Sequence, residues 1–252
     1  MYYSLISASN YHLNNNSIYQ KGNNVIASMT ASRKTSLSAG ILYLLTFISI
    51  PTLSLYHEIH QPNFILSAAP SSDVVIGGIL ELLMALFCIG TAIVLFPVLK
   101  KQNETLALGF VAARVLEAAL IFAGVASLLT VLSLRSLGAE AQVMSQGLVM
   151  LYDRLFLISQ SFIPAVNGLL LGTLLYQSRL VPRILPIIGI IGAFTLTAGD
   201  VAVLFGVFDQ RAPLAGLSAV PIALWEFSLG IYLTVKGFKD QGGLISLDQI
   251  EA

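Results

Sequence analysis

The sequence predicts an all-α fold, a polytopic transmembrane helical bundle of six spans with both termini in the cytoplasm. Of its 252 residues, 56% are hydrophobic and only 10% are charged, whereas soluble domains carry roughly 25% charged residues. A chain this poor in charge cannot cover a water-facing surface, so lipid is its expected solvent. Six stretches reach the about 20 apolar residues that a spanning helix needs, and basic residues collect on alternate connections.

The six predicted spans follow one another with short connections, none of which has the polar bulk of a soluble domain. In chain order the spans cover residues 36–56, 73–99, 105–134, 148–176, 184–206 and 214–238. The third span is long enough to tilt or to extend beyond the bilayer. Pro164 and Pro221 fall inside the fourth and sixth spans, and we expect them to kink these helices.

The segments outside the spans define the domain organisation. Residues 1–30 are predicted to form a disordered N-terminal tail, because they are rich in Asn, Ser and Tyr and lack the apolar core of a signal peptide. Met29 directly precedes a compact basic lead-in to the first span, which makes Met29 an alternative start site. Residues 31–240 are expected to form the six-helix membrane domain, and residues 241–252 a short C-terminal tail.

The distribution of Lys and Arg residues predicts the orientation of the bundle. Nine of them lie in the terminal segments and on the second and fourth connections: Lys21, Arg33, Lys34, Lys100, Lys101, Arg179, Arg183, Lys236 and Lys239. The opposite side holds only Arg135 and Arg211. By the positive-inside rule both termini face the cytoplasm, and we expect the protein in the cytoplasmic membrane.

Several ionisable residues fall inside the predicted spans, where charge is rare and costly. This intramembrane polar cluster comprises five carboxylates and two arginines: Glu81, Glu117, Asp153, Asp200, Glu226, Arg114 and Arg154. Gln160 and Asn167 add neutral polarity in the fourth span. If all seven charged residues were ionised, their net charge would be −3. Some acids are therefore protonated, or a cation binds among them, or some reach interfacial water, as Asp153 and Asp200 can.

Four of these residues are expected to form the centre of the cluster. Arg114 and Glu117 are three residues apart, so they share one helix face and can pair directly. Counting a rise of ~1.5 Å per residue from the span ends puts Glu81, Glu117 and Glu226 at a similar depth. We therefore expect these three acids and Arg114 to lie together.

Three kinds of function are compatible with this cluster. Its main expected role is to organise helix packing, as buried ion pairs commonly do. One alternative is a transporter of protons, ions or small solutes that uses the buried carboxylates, and a second is an intramembrane enzyme. A dry, paired network favours packing, a water-filled cavity that reaches the acids favours transport, and two carboxylates converging on a substrate-sized cavity favour catalysis.

No catalytic residue, metal site or cofactor is predicted. His57, Glu58 and His60 lack a third ligand and the HExxH spacing of a zinc peptidase, so we interpret them as solvated interfacial residues. No span carries a histidine for haem, and the only cysteine, Cys88, is expected to be buried in an apolar run. The 13 basic and 13 acidic residues cancel, so nucleic acid is not an expected partner. The expected partners are the lipid bilayer and either a second copy of the chain or another membrane subunit.

Three segments of the sequence resemble a known family. They read "SRKTSLSAGILYLLTF", "GILELLMALFCIGTAIVLFPVLKKQNETLALGFVAARVLEA" and "ALWEFSLGIYLTVKGF". Over about residues 31–240 the chain resembles bacterial multi-pass proteins of Domain of Unknown Function 4386. In the middle segment the residues at matching positions are Glu81, Asn103, Glu104, Arg114 and Glu117. The resemblance implies a helical protein of the inner membrane with a start near Met29, and it implies no substrate.

Overall fold

The computed structural model describes residues 30–239, and this part of the chain consists of helices joined by short turns, without a β-strand. The predicted all-α class is therefore confirmed. The tails predicted over residues 1–30 and 241–252 lie outside the described residues, apart from Thr30. Met29 and Lys21 also lie outside them.

The described residues contain eight α-helices, which are numbered here in chain order. They are α1 (Ala31–Thr46), α2 (Thr52–Leu55), α3 (Ser72–Leu99), α4 (Glu104–Leu134), α5 (Gln142–Leu157), α6 (Ile163–Ser178), α7 (Ile184–Leu204) and α8 (Pro213–Val235). Side-chain caps start two of them: Thr30 accepts from the Arg33 amide at 3.2 Å, and Asn103 accepts from the Leu106 amide at 3.0 Å. Both caps satisfy backbone donors that an N-terminal turn leaves free.

Five helical segments in the described residues are long and apolar enough to cross a membrane. The longest, Glu104–Ser178, reverses direction at Gly138, whose φ of 58° and ψ of −136° suit a residue without a Cβ. After this turn α5 and α6 pack back against α4. The two arms of this segment correspond to the third and fourth predicted spans.

The long helices form a ring that closes in chain order. α1 packs against α3, α3 against α4, α4 against α5 and α6, α6 against α7, and α7 against α8. α8 returns to α1, where a Cβ on Gly40 would lie 2.7 Å from the carbonyl oxygen of Gly230. Arg33 fixes this seam, because it donates to the carbonyls of Leu233 and Thr234 at 2.9 and 2.6 Å. A side chain inside the ring can therefore reach several helices at once.

The two faces of the ring differ in what they contact. The interior is filled by large buried side chains, including Tyr43, Phe110, Leu171, Trp225 and Leu229. The outward faces expose large apolar side chains, among them Ile93, Leu108, Phe194 and Leu224. Exposed apolar side chains on most of the long helices suit a lipid environment.

A π-helical turn, Ile158–Phe162, joins α5 to α6, whose second residue is Pro164. Proline has no N–H to bond the carbonyl four residues earlier, which here is the carbonyl of Gln160. The missing hydrogen bond thus falls inside the wider turn, where an extra residue can be accommodated. The distortion predicted at Pro164 takes this form, whereas Pro221 lies inside α8 without a break in the helix.

Candidate functional site

Arg114 lies inside the ring and joins side chains from several helices. On its own helix α4, its Nη1 lies 3.2 Å from Oε2 of Glu117, one turn further along. Its Nη2 donates to the Tyr43 hydroxyl of α1 at 3.1 Å and to Oε1 of Glu226 of α8 at 3.0 Å. Arg114 and Glu117 are both buried, so these contacts are made away from solvent.

Two further residues extend this arrangement, which we call the Arg114 network (Tyr43, Cys88, Arg114, Glu117, Asn167 and Glu226). The Sγ of Cys88, on α3, accepts from Arg114 Nη1 at 3.4 Å. Asn167, on α6, donates to Oε2 of Glu117 at 2.7 Å. The network therefore links five of the long helices, and Cys88 is buried within it.

Pairing within the Arg114 network is extensive but incomplete. One guanidinium faces two carboxyl groups, those of Glu117 and Glu226. Three buried polar atoms have no hydrogen-bond partner within the described residues. Two are donors, Arg114 Nε and Trp225 Nε1, and one is an acceptor, Asn167 Oδ1. The guanidinium also lies over the Tyr43 ring, at 5.2 Å from its centroid, which adds a cation–π contact.

Glu81, on α3, forms a second and separate network. It is fully buried, and its Oε1 accepts from the Tyr152 hydroxyl at 2.7 Å and from Nε2 of Gln160 at 3.1 Å. Its Oε2 accepts only from the Tyr56 hydroxyl, at a longer 3.4 Å. None of the ion pairs in the described part of the chain includes Glu81. All its donors are neutral, and we call these four residues the Glu81 network.

The structure thus divides the four residues that were expected to share one centre. Arg114, Glu117 and Glu226 lie together, whereas Glu81 shares no hydrogen bond with any of them. Glu81 precedes Cys88 by seven residues on α3, which is about 10 Å along a helix axis. The depths that were estimated from the span ends did not distinguish the level of Glu81 from that of the Arg114 network.

The π-helical turn connects the Glu81 network to Asp200. Gln160 donates to Glu81, and the next residue, Ser161, donates to Oδ1 of Asp200, on α7, at 2.5 Å. Asp200 is buried, and its Oδ2 has no partner within the described residues; the same holds for the Oγ of Ser159. Two consecutive residues of one turn therefore donate hydrogen bonds to two different buried acids.

Asp153 occupies the end of the ring near the turn Glu58–His60. Its Oδ1 lies 3.1 Å from Nε2 of His60 and 2.6 Å from Nη2 of Arg211, which precedes α8. Arg154 is exposed. His57 and Glu58 are also exposed, and the described residues contain no group of three His, Cys, Asp or Glu side chains that could hold a metal ion.

An open cavity of about 570 Å³, which we call the vestibule, lies at this end of the ring. It is lined by polar, aromatic and apolar residues, including Leu53, Tyr56, His60, Tyr152, Asp153, Phe156 and Arg211. The two tyrosines stand edge to face with ring centroids 5.4 Å apart. The hydroxyls of the same two tyrosines donate to Glu81. The two rings therefore lie between the vestibule and Glu81.

Several of these site residues were absent from the sequence-based cluster. Tyr43, Tyr56, Tyr152 and Ser161 contribute hydroxyls that only the tertiary arrangement brings to the acids. A tyrosine in the middle of an apolar run, such as Tyr43, is the one signal of this kind that the sequence offered. Tyr56 and Tyr152 lie near the outer ends of the first and fourth predicted spans, where tyrosine is common for interfacial reasons, and Ser161 is one of many serines in the sequence.

Comparison with known proteins identifies a family but not an activity. A family model described as Domain of unknown function (DUF4386) matches residues 38–237. No curated protein and no solved structure matches the chain. The family match confirms the resemblance found in the sequence, and its description assigns no chemistry to the site.

Proposed function

The chain belongs to the DUF4386 family, and we propose that it forms a six-span protein of the cytoplasmic membrane with both termini inside. The reversal at Gly138 supports counting the segment Glu104–Ser178 as two crossings. The closed ring supports an alternation of direction between neighbouring helices. Eight of the nine basic residues assigned to the cytoplasm lie within the described residues, against Arg135 and Arg211 on the other side. In this orientation the vestibule opens to the outside.

We further propose that the protein is a proton-coupled transporter of a small solute, in which Glu81 binds the coupling proton. One observation carries this proposal: the inner wall of the vestibule is made by Tyr56 and Tyr152, and both donate to Glu81. The vestibule thus leads to a buried carboxyl group through two side chains that can move.

In the described residues Glu81 and Asp200 are buried acids without a paired cation, and of these two only Glu81 bonds side chains that line the vestibule. An ionised carboxylate at membrane depth is unfavourable by several kcal/mol unless a cation compensates it. Within residues 30–239, Glu81 has three neutral donors and no basic partner. It can therefore gain and lose a proton without breaking an ion pair, which is what a coupling group must do.

The Arg114 network supports a packing role, which is a second function of the same molecule. Its guanidinium bonds side chains of α1, α3, α4 and α8, and Asn167 adds α6. Such a contact set suits a fixed structural element better than a group that changes charge. Packing by Arg114 and transport by Glu81 are compatible in one chain.

The transport proposal is tested by flux in proteoliposomes. The full chain is reconstituted with an acidic interior and a trapped pH-sensitive dye. Four solute classes are then added outside in turn: inorganic monocations, organic monocations, organic anions and neutral sugars. We expect one class to release protons from the interior with the wild type, and Glu81→Gln to reduce this release to the level of empty liposomes.

The matched control is Glu140→Gln, which makes the same chemical change at an exposed residue. This variant should retain wild-type flux. The proposal is wrong if no solute class moves protons, or if Glu81→Gln, recovered folded, matches the wild type.

A further inference from the structure

We infer that the solute is an organic monocation that competes with a proton for Glu81, an inference that rests on the proposed transport function. Three features of the molecule support this inference: the charges around the vestibule, its walls, and the uneven bonding of the two Glu81 oxygens.

The charges around the vestibule leave one negative charge without a partner. Asp153 is paired with Arg211 at 2.6 Å, and the facing histidine, His60, bonds the same carboxylate. In the described part of the chain, the side chains that hydrogen-bond Glu81 are Tyr56, Tyr152 and Gln160, and all are neutral. The ionised site therefore has a net charge of −1 when His60 is neutral. A single positive charge balances it, whereas an anion would be repelled.

The walls and size of the vestibule favour an organic cation over a bare metal ion. Its volume of about 570 Å³ lies within the roughly 300–1,000 Å³ of small-molecule sites. Tyr56, Tyr152 and Phe156 give it aromatic walls, and Leu53 adds an apolar one. Aromatic faces attract organic cations through cation–π contacts. A hard metal ion instead needs a cage of oxygen ligands.

The bonding of the two carboxylate oxygens indicates where the cation and the proton alternate. Oε1 of Glu81 accepts from both Tyr152 and Gln160, at 2.7 and 3.1 Å. Oε2 accepts only from Tyr56, at 3.4 Å. Tyr56 and Tyr152 both line the vestibule, so both oxygens lie behind its inner wall. Oε2, with a single long hydrogen bond, is the oxygen with capacity left for a further partner.

The exchange at Oε2 conserves charge and atoms. With the proton bound, Glu81 is a neutral acid and the site has no net charge. When the cation enters and Tyr56 moves aside, the O–H bond breaks and the proton leaves to water in the vestibule. The carboxylate then pairs with the cation, and no bond within the solute is formed or broken.

Equilibrium binding of tetraphenylphosphonium to the purified full chain in detergent tests the inference. We expect about one proton released per cation bound, measured in weakly buffered solution, and an apparent Kd that rises up to about tenfold per pH unit as the solution is acidified. Glu81→Gln should lose the proton release. Glu81→Asp keeps a carboxyl group and should keep the proton release. This variant separates the loss of the acid from a loss of the fold.

Each possible result either supports or overturns the inference. Proton release that depends on Glu81 supports the inference, and so does choline or ethidium binding with the same dependence. Binding that is independent of pH, or equal in Glu81→Gln, overturns it, as does the absence of binding by all three cations to folded wild type. If another solute class moves protons through Glu81 in the flux assay, this inference fails while the proposed transport function stands.

Discussion

Arg114 and Glu81 are both buried inside the ring, but the charges of their partners differ. Arg114 is held by the carboxyl groups of Glu117 and Glu226. Glu81 is surrounded by neutral hydroxyl and amide donors. Removing one member of a buried ion pair leaves an uncompensated charge, whereas an acid among neutral donors can be neutralised by a proton. At the scale of single residues, Arg114 is therefore suited to stability and Glu81 to a change of charge.

The substitution Arg114→Met should destabilise the protein strongly. It leaves the buried Glu117 and the partly buried Glu226 without a cation, so we expect the free energy of unfolding to fall by about 3–5 kcal/mol. Trp225 is the only tryptophan and is buried. Its fluorescence during denaturation of the purified protein in detergent therefore reports the loss.

The matched control for this prediction is Arg154→Met, at an exposed arginine. Because exposed charges contribute little, this change should alter the free energy of unfolding by less than about 1 kcal/mol. Equal effects of the two substitutions would show that the Arg114 network does not hold the helices together.

At the scale of helices, close contacts between small residues and large side chains determine how α7 meets α8. A Cβ on Gly189 would lie 2.4 Å from the Cδ2 atom of the Trp225 ring. The absence of a side chain at Gly189 thus lets the indole pack flat against α7. The same two helices approach again at Gly192, where a Cβ would lie 2.6 Å from the backbone nitrogen of Ile222.

Gly189→Ala should therefore separate α7 from α8 or displace Trp225. Overpacking of this kind destabilises by about 1–3 kcal/mol, and we expect a lower midpoint of thermal unfolding, measured by circular dichroism in detergent. Gly147→Ala is the control, since a Cβ there has nothing within 4 Å. If Gly189→Ala unfolded at the wild-type midpoint, the contact between Gly189 and Trp225 would have room for a methyl group, and the prediction would be wrong.

At the scale of the whole molecule, the helices were predictable and their meeting points were not. Helix positions follow from local runs of apolar residues, and even the disturbance at Pro164 has a local cause. The pairing of Arg114 with Glu117 follows from their spacing on one helix. The partners of Glu81 come from two other parts of the chain, the end of the first predicted span and the fourth predicted span, so they depend on the closure of the ring. No local pattern encodes that closure, which is why the expected centre divided into two networks.

The proposed topology of the whole molecule is testable by cysteine labelling in intact cells. With both termini inside, Glu140→Cys should react with a membrane-impermeant maleimide, because its turn faces outside. Gln102→Cys and Gln177→Cys should react only after the membrane is opened, since α3 and α6 end on the cytoplasmic side. The native Cys88 is buried, so the unsubstituted protein gives the background. Labelling of all three positions in intact cells would show that the segment between Gln102 and Gln177 does not cross twice, and the reverse pattern would invert the orientation.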